Sequence, residues 1–270
     1  MLQHIKLGWR AALRQPFAVL VLFLYRFAWG FALYELVKSV IIPLLHRYPG
    51  NVSPDRVHLF LAEIQFQLTK TDLISPYLWL LVGLLGARML LTPFINAALY
   101  YSVEYTRLNN GYRFFKGIKE LYKSFLLYYL LQTVVTLGPL YFLIPKVKSI
   151  FLQAVSYESL LMNLLPWIAG CLVYGFLVRL AVMYLQFGRT ANRPLLQSMT
   201  CLIKGLLPVI GMAVILLLLS FLLSLTVLTV VFVWAGFWAV LLYQLYRFAE
   251  TFISVWGITS QHQWYTSQSA

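Results

Sequence analysis

The sequence predicts an all-α fold, a polytopic transmembrane helical bundle of about six spans with interfacial amphipathic helices. Composition is the first reason. Hydrophobic residues fill 61% of 270 positions and charged residues only 11%, with a mean hydropathy of +0.78. A soluble domain carries about a quarter charged residues, because its outside must be solvated. The second reason is run length: the chain is uncharged from Gly205 to Tyr246, too long for one crossing and suited to two at ~20 residues each. The third is the placement of charge. The 21 Lys+Arg against 8 Asp+Glu gather between apolar segments, as the positive-inside rule expects.

Residues 1–16 read as a helix on the inner membrane face. Leu2, Ile5, Trp9 and Leu13 make an apolar stripe, and Lys6, Arg10 and Arg14 a basic side. Pro16 allows a change of direction into the first span, about 17–45. Its length and the lack of a small-residue cleavage pattern mark it as a retained span rather than a signal peptide. Residues 51–76 form the long polar connection, an outer amphipathic segment opened by Ser53, Pro54 and Asp55. Ser75-Pro76 repeats that start signal for the second span, about 77–105. Further spans are expected at about 125–145, 161–187, 206–233 and 237–258, the last two separated by a turn at Gly236. Residues 259–270 are left as a cytoplasmic tail, and the whole chain as one integral membrane domain.

Loop charge orients the stack. The connection after span two holds Arg107, Arg113, Lys116, Lys119 and Lys123 with a single acid, Glu120, and that after span four holds Arg189, Arg193 and Lys204 with none. The outer connection is balanced. Both termini are therefore expected in the cytoplasm, in a multi-pass protein of the cell membrane. Trp79, Trp167, Trp234 and Trp238 fall at outer boundaries, Trp9 and Trp256 at inner ones, while Trp29 lies inside span one.

The chain also repeats. Aligning Arg14, Lys123 and Lys204 superposes the small residues Gly8, Gly117 and Ser198. The same register superposes Trp9, Ile118 and Met199, then Ala12, Leu121 and Leu202, then Leu13, Tyr122 and Ile203. Each unit is an amphipathic inner-face helix followed by a transmembrane hairpin, used three times.

Catalytic signatures are not found. The eight acids and four histidines (His4, His46, His58 and His262) show no helical metal-ligand spacing, and no nucleophile or glycine-rich phosphate motif is present. Cys171 and Cys201 have no metal-ligand spacing, and no cofactor is implied. The densest polar group, His46, Arg47, Asp55, Arg56 and His58, reads as a solvated outer connection. The basic surplus does not point to nucleic acid, since no soluble module exists to carry it.

The informative residues are arginines within spans: Arg26, Arg88, Arg179 and Arg247. A central arginine costs ~2.5–3.5 kcal/mol on insertion, so these should face the bundle interior, a partner or water. Two readings stay open. In one, each is structurally paired, with Glu250 at i+3 from Arg247, Glu104 near the inner surface, and Arg26 snorkelling inward. In the other, they line a cavity holding an anion such as a lipid phosphate or carboxylate, which guanidinium forks fit.

The stretches "ALRQPFAVLVLFLYRFAWGF", "YPGNVSPDRVHLFLAEI" and "INAALYYSVEYTRLNNGYRFFKGIKELYKSFLLYYLL" follow a recognisable order of features. The pattern resembles the polytopic membrane domain that precedes the catalytic barrel in some bacterial glycerophosphoryl diester phosphodiesterases. The resemblance implies a bacterial membrane platform near glycerophosphodiester or lipid metabolism. The catalytic chemistry of that family lies in its separate barrel, so no catalytic residue carries over. The leading expectation is a non-enzymatic protein binding or moving an anionic amphiphile among membrane lipids. The rivals are an accessory scaffold, docking a partner protein or anionic headgroups through its basic inner helices, and a membrane-embedded enzyme acting at the outer loop.

Overall fold

The computed structural model describes residues 1–47, 75–153, 157–233 and 237–269. Among these, eight α-helices and no strands are found: α1 (Leu2–Leu13), α2 (Pro16–Arg47), α3 (Ser75–Glu104), α4 (Asn110–Gln153), α5 (Tyr157–Thr190), α6 (Leu195–Lys204), α7 (Leu206–Val233) and α8 (Phe237–Ser269). The expected outer segment at 51–76 lies outside the described residues, save that α3 starts at Ser75 as its Ser-Pro signal predicts. Of the polar group, His46 and Arg47 end α2, while Asp55, Arg56 and His58 lie outside the described residues, as does Gly236; α7 ends at Val233 and α8 begins at Phe237.

Among the described residues, five helices are long and apolar enough to cross a membrane: Pro16–Ser39, Ser75–Glu104, Asn110–Ile150, Glu158–Thr190 and Leu206–Val233. No more than 17% of the most apolar window of each is buried, so the spans turn apolar side chains outward, as a lipid solvent allows. The sixth expected span corresponds to α8. That helix is long enough to cross, but Gln244, Arg247 and Glu250 interrupt its apolar run, and it is not among the five.

The chain separates into two compact units, Met1–Leu20 with Pro93–Ala270, and Val21–Thr92. In the 21–92 unit, the Tyr25 and Thr92 hydroxyls are hydrogen-bonded at 2.8 Å and tie α2 to α3. The Thr92 hydroxyl also reaches the Arg88 carbonyl one turn back.

The larger unit realises the repeat. Each amphipathic segment packs on the returning helix of the preceding hairpin: the start of α4 on the end of α3, α6 on the end of α5, and α1 on the end of α8. The last contact joins the first unit to the third and closes a ring. The aligned small residues sit at its three joints. A Cβ on Gly8 would lie 2.6 Å from the Ser260 Cα, and one on Gly117 would lie 2.5 Å from the Tyr101 Cβ. Ser198 abuts Gly188. Small residues are what membrane helices use to let backbones approach. Ala12, Leu121 and Leu202 are buried one turn further on, and Arg14, Lys123 and Lys204 are exposed.

Local chemistry sets the breaks. Proline has no N–H and disfavours an α-conformation at Gln15, so α1 and α2 part there. Gly205 ends α6, and the Trp264 Nε1 would lie 2.6 Å from a Cβ at that position. Between Lys123 and Phe125 there is neither Pro nor Gly, and α4 runs through without a break. After Thr190 the chain turns on Asn192, whose φ is 53°, with Arg193 N–H donating to the Gly188 carbonyl at 2.8 Å. That is a helix end with asparagine in the left-handed position.

The face of α1 that packs on protein is made by Ile5, Gly8 and Ala12, and the rest of the apolar stripe, Leu2, Trp9 and Leu13, is exposed. Within the segment expected as a cytoplasmic tail, α8 continues to Ser269, and Thr259, Ser260, Gln261, His262 and Tyr265 are buried.

Candidate functional site

The four arginines that the sequence singles out are all exposed. Arg26 and Arg88 belong to the 21–92 unit, and Arg179 and Arg247 to the other. Arg88 lies about 24 Å along α3 from Glu104, and Arg179 about 17 Å along α5 from Thr190, at ~1.5 Å per residue. Both are deep within their spans. Neither has a carboxylate within ion-pair distance among the described residues.

Arg247 is held locally. Its Nε and Nη2 donate to the Tyr243 hydroxyl at 3.0 and 2.6 Å, and its Nη1 donates to Glu250 Oε2 at 3.2 Å. This is the pairing the sequence offered as its structural reading. The side chains remain 51% and 32% exposed, so the pair orients the guanidinium without enclosing it. Lys38 and Glu35 pair in the same local way at 3.6 Å.

Glu104 is hydrogen-bonded to histidine, with the charge of Arg193 also acting on its carboxyl. Its Oε2 lies 2.6 Å from His262 Nε2, across 158 residues of sequence, with the imidazole 7% exposed and the carboxyl 25%. A carboxylate accepts here, which assigns the Nε2 proton to histidine. The Phe187 ring packs 5.3 Å from the imidazole. The two helix ends that the pair joins, α3 and α8, come from the first and third hairpins.

Around that pair lies a polar core that the sequence reading did not identify. Within each hairpin one polar side chain ties the incoming helix to the returning one. Gln15 Nε2 donates to the Ser102 carbonyl at 2.8 Å, Arg189 Nε donates to the Ser124 hydroxyl at 3.1 Å, and Gln261 Nε2 donates to the Val209 carbonyl at 2.9 Å. Tyr184 donates to Gln261 Oε1 at 3.0 Å, and the Ser198 and Tyr265 hydroxyls meet at 3.0 Å. Arg113, counted by sequence among loop charges, is 2% exposed. Its Nη2 donates to the Arg14 carbonyl at 3.1 Å and Gln15 Oε1 at 2.7 Å, and its Nη1 to the Thr106 carbonyl at 3.2 Å. One guanidinium thus fastens the α1–α2 turn to the α3–α4 turn.

Chemically, the arrangement is a fastening. Gln15, Thr190, Thr259 and Gln261 donate to backbone carbonyls, Ser102 Oγ, Arg113 Nε, Ser260 Oγ and His262 Nδ1 are buried without a hydrogen-bond partner, and no cluster of three His, Cys, Asp or Glu side chains able to hold a metal is found among the described residues. The repeat register was the one sequence signal pointing here, since it aligned Gly8, Gly117 and Ser198 at the joints. What remains chemically unanswered is the pair Arg88 and Arg179, cationic, exposed and deep.

No family model matches this chain, and no curated protein and no solved structure is similar to it.

Proposed function

We propose that the protein is a non-enzymatic membrane protein that binds or translocates an anionic amphiphile, a lipid phosphate or carboxylate, through its intramembrane arginines. The observation behind this is the state of Arg88 and Arg179: exposed on spans and deep in them, with no carboxylate partner among the described residues. A guanidinium so placed is tolerated where an anion or water meets it, and its planar donors match the paired oxygens of phosphate and carboxylate. Arg247, oriented by Tyr243 and Glu250, and Arg26 extend the set. The resemblance to the membrane domain of glycerophosphodiester-processing proteins agrees with such a ligand.

The reading places the protein in a bacterial cell membrane with both termini cytoplasmic, since the basic residues gather at the end of the bundle that the termini share. Mass spectrometry of lipid carried through purification tests the binding. The wild type retains anionic lipid, and Arg88→Ala and Arg179→Ala each release most of it while remaining folded. An unchanged lipid complement in both variants rejects the reading. Cysteine labelling from each side of the membrane checks the orientation separately.

A further inference from the structure

The three ring helices share more than a buried face. On α1 the buried positions are Ile5, Gly8 and Ala12, and the outer surface divides in two. One flank carries Leu2, Trp9 and Leu13, and the ridge beside it carries Lys6, Arg10 and Arg14, all exposed. The start of α4 carries Lys119 and Lys123 on the ridge and Tyr122, half-buried and stacked on Phe94 at 3.8 Å, at the flank position of Leu13. On α6, Ile203 is exposed at that flank position and Lys204 on the ridge, and the place of Lys6 is taken by exposed Phe115 on α4 and Leu196 on α6, so both helices widen the apolar flank at the expense of the ridge. The register that puts Gly8, Gly117 and Ser198 at the joints also puts Arg14, Lys123 and Lys204 at one outward position. The equivalent flank position holds Leu13, Tyr122 and Ile203.

A helix with one face against protein, one apolar flank and one basic ridge meets two solvents at once. Acyl chains suit the flank, and anionic headgroups suit the ridge beside it. Water alone would leave large apolar side chains exposed on all three helices. The apolar flanks are also continuous with spans whose apolar side chains already face outward.

We infer that α1, the start of α4 and α6 form a threefold collar that holds anionic phospholipid headgroups of the leaflet at the basic end of the bundle. The collar is distinct from the intramembrane arginines, lies at headgroup depth, and stands whether or not those arginines bind a ligand.

The test reconstitutes the whole chain in phosphatidylcholine bilayers. Electron paramagnetic resonance then reads the fraction of spin-labelled phosphatidylglycerol, or of spin-labelled phosphatidylcholine, immobilised at the protein. The wild type should favour the anionic probe several-fold, less so as salt rises. A basic residue near an anionic surface is worth ~1 kcal/mol, or about fivefold per charge at a contacting lipid. Combining Arg14→Gln, Lys123→Gln and Lys204→Gln should therefore bring the preference towards unity, while Lys146→Gln, an exposed charge outside the collar and outside the intramembrane arginines, leaves it in place. A preference that survives the triple change but is lost in Arg179→Ala overturns the collar and leaves the arginine site standing. Equal binding of both probes by the wild type also overturns it.

Should the triple variant fail to fold, nitroxides at Leu13→Cys and Ile203→Cys, with Cys171→Ser, give a second measurement. Access to oxygen with protection from a water-soluble nickel chelate supports the collar. Access to the chelate overturns it. Protection from both, with a protein co-purifying, assigns the surface to a protein partner instead and overturns it equally.

Discussion

Gly8→Ala tests the ring closure most directly. The added Cβ would fall 2.6 Å from the Ser260 Cα and 2.7 Å from the Ser260 backbone nitrogen. Those are backbone atoms of a helix and cannot rotate away, so α1 must lift off α8. Overpacking of this kind costs about 1–3 kcal/mol. Lifting α1 also stretches the bonds from Thr259 Oγ1 to the Gly8 carbonyl and from Trp256 Nε1 to the Ile5 carbonyl, both 2.8 Å, each worth about 1 kcal/mol. The expected loss is therefore roughly 2–4 kcal/mol, at about 2–4 °C of melting temperature per kcal/mol. Gly170→Ala is the control. Nothing lies within 4 Å of a Cβ there, and alanine is the better helix former by about 1 kcal/mol. Thermal unfolding in detergent should show Gly8→Ala well below wild type and Gly170→Ala at or above it. If both variants melt with the wild type, α1 does not close the ring as described.

Glu104→Ala leaves His262 buried without its acceptor and should lower stability by about 2 kcal/mol, the scale of a hydrogen bond to a charged group; an unchanged melting temperature would count against the clasp. Arg113→Met removes three hydrogen bonds and leaves Gln15 short of a partner, so a loss of about 2–3 kcal/mol is expected in the same assay. Burial pushes the Cys201 thiol above its ordinary range, so in a Cys171→Ser background maleimide labelling at neutral pH should be slow until the protein is unfolded. His4 is held below its usual 6.5, first by burial and then by the neighbouring amino terminus. The unfolded chain then binds the proton more readily, and the contribution of His4 is lost as pH falls below about 6.5. His4→Phe should show a smaller fall in melting temperature between pH 7 and 5 than the wild type.

Pro16 and Ser75-Pro76 were legible as a break and a start because each acts on its own backbone. The spans were legible because lipid selects for apolar composition over ~20 residues, whatever the partners. The register of the repeat could be read because three basic residues recur before three apolar runs. By itself, then, the sequence determined the helices, most of their limits and the end of the bundle that is basic.

Tertiary structure decided which side chains are inside. In lipid, apolar residues face out as readily as in, so the stripe of Leu2, Ile5, Trp9 and Leu13 could not name the buried face of α1; Gly8 and Ala12 did so by their smallness, and only against Ser260. Polarity misled in the opposite sense. Gln261, His262 and Arg113 read as tail and loop residues because a local scan assigns polar side chains to water, yet each is buried. Their partners lie at Val209, Glu104, Arg14 and Gln15, and Glu104 is 158 residues away from His262 in sequence. A hydrogen bond across that separation leaves no periodic trace in the chain, and only the closing of α1 onto α8 and the meeting of three hairpin ends brought those groups within reach.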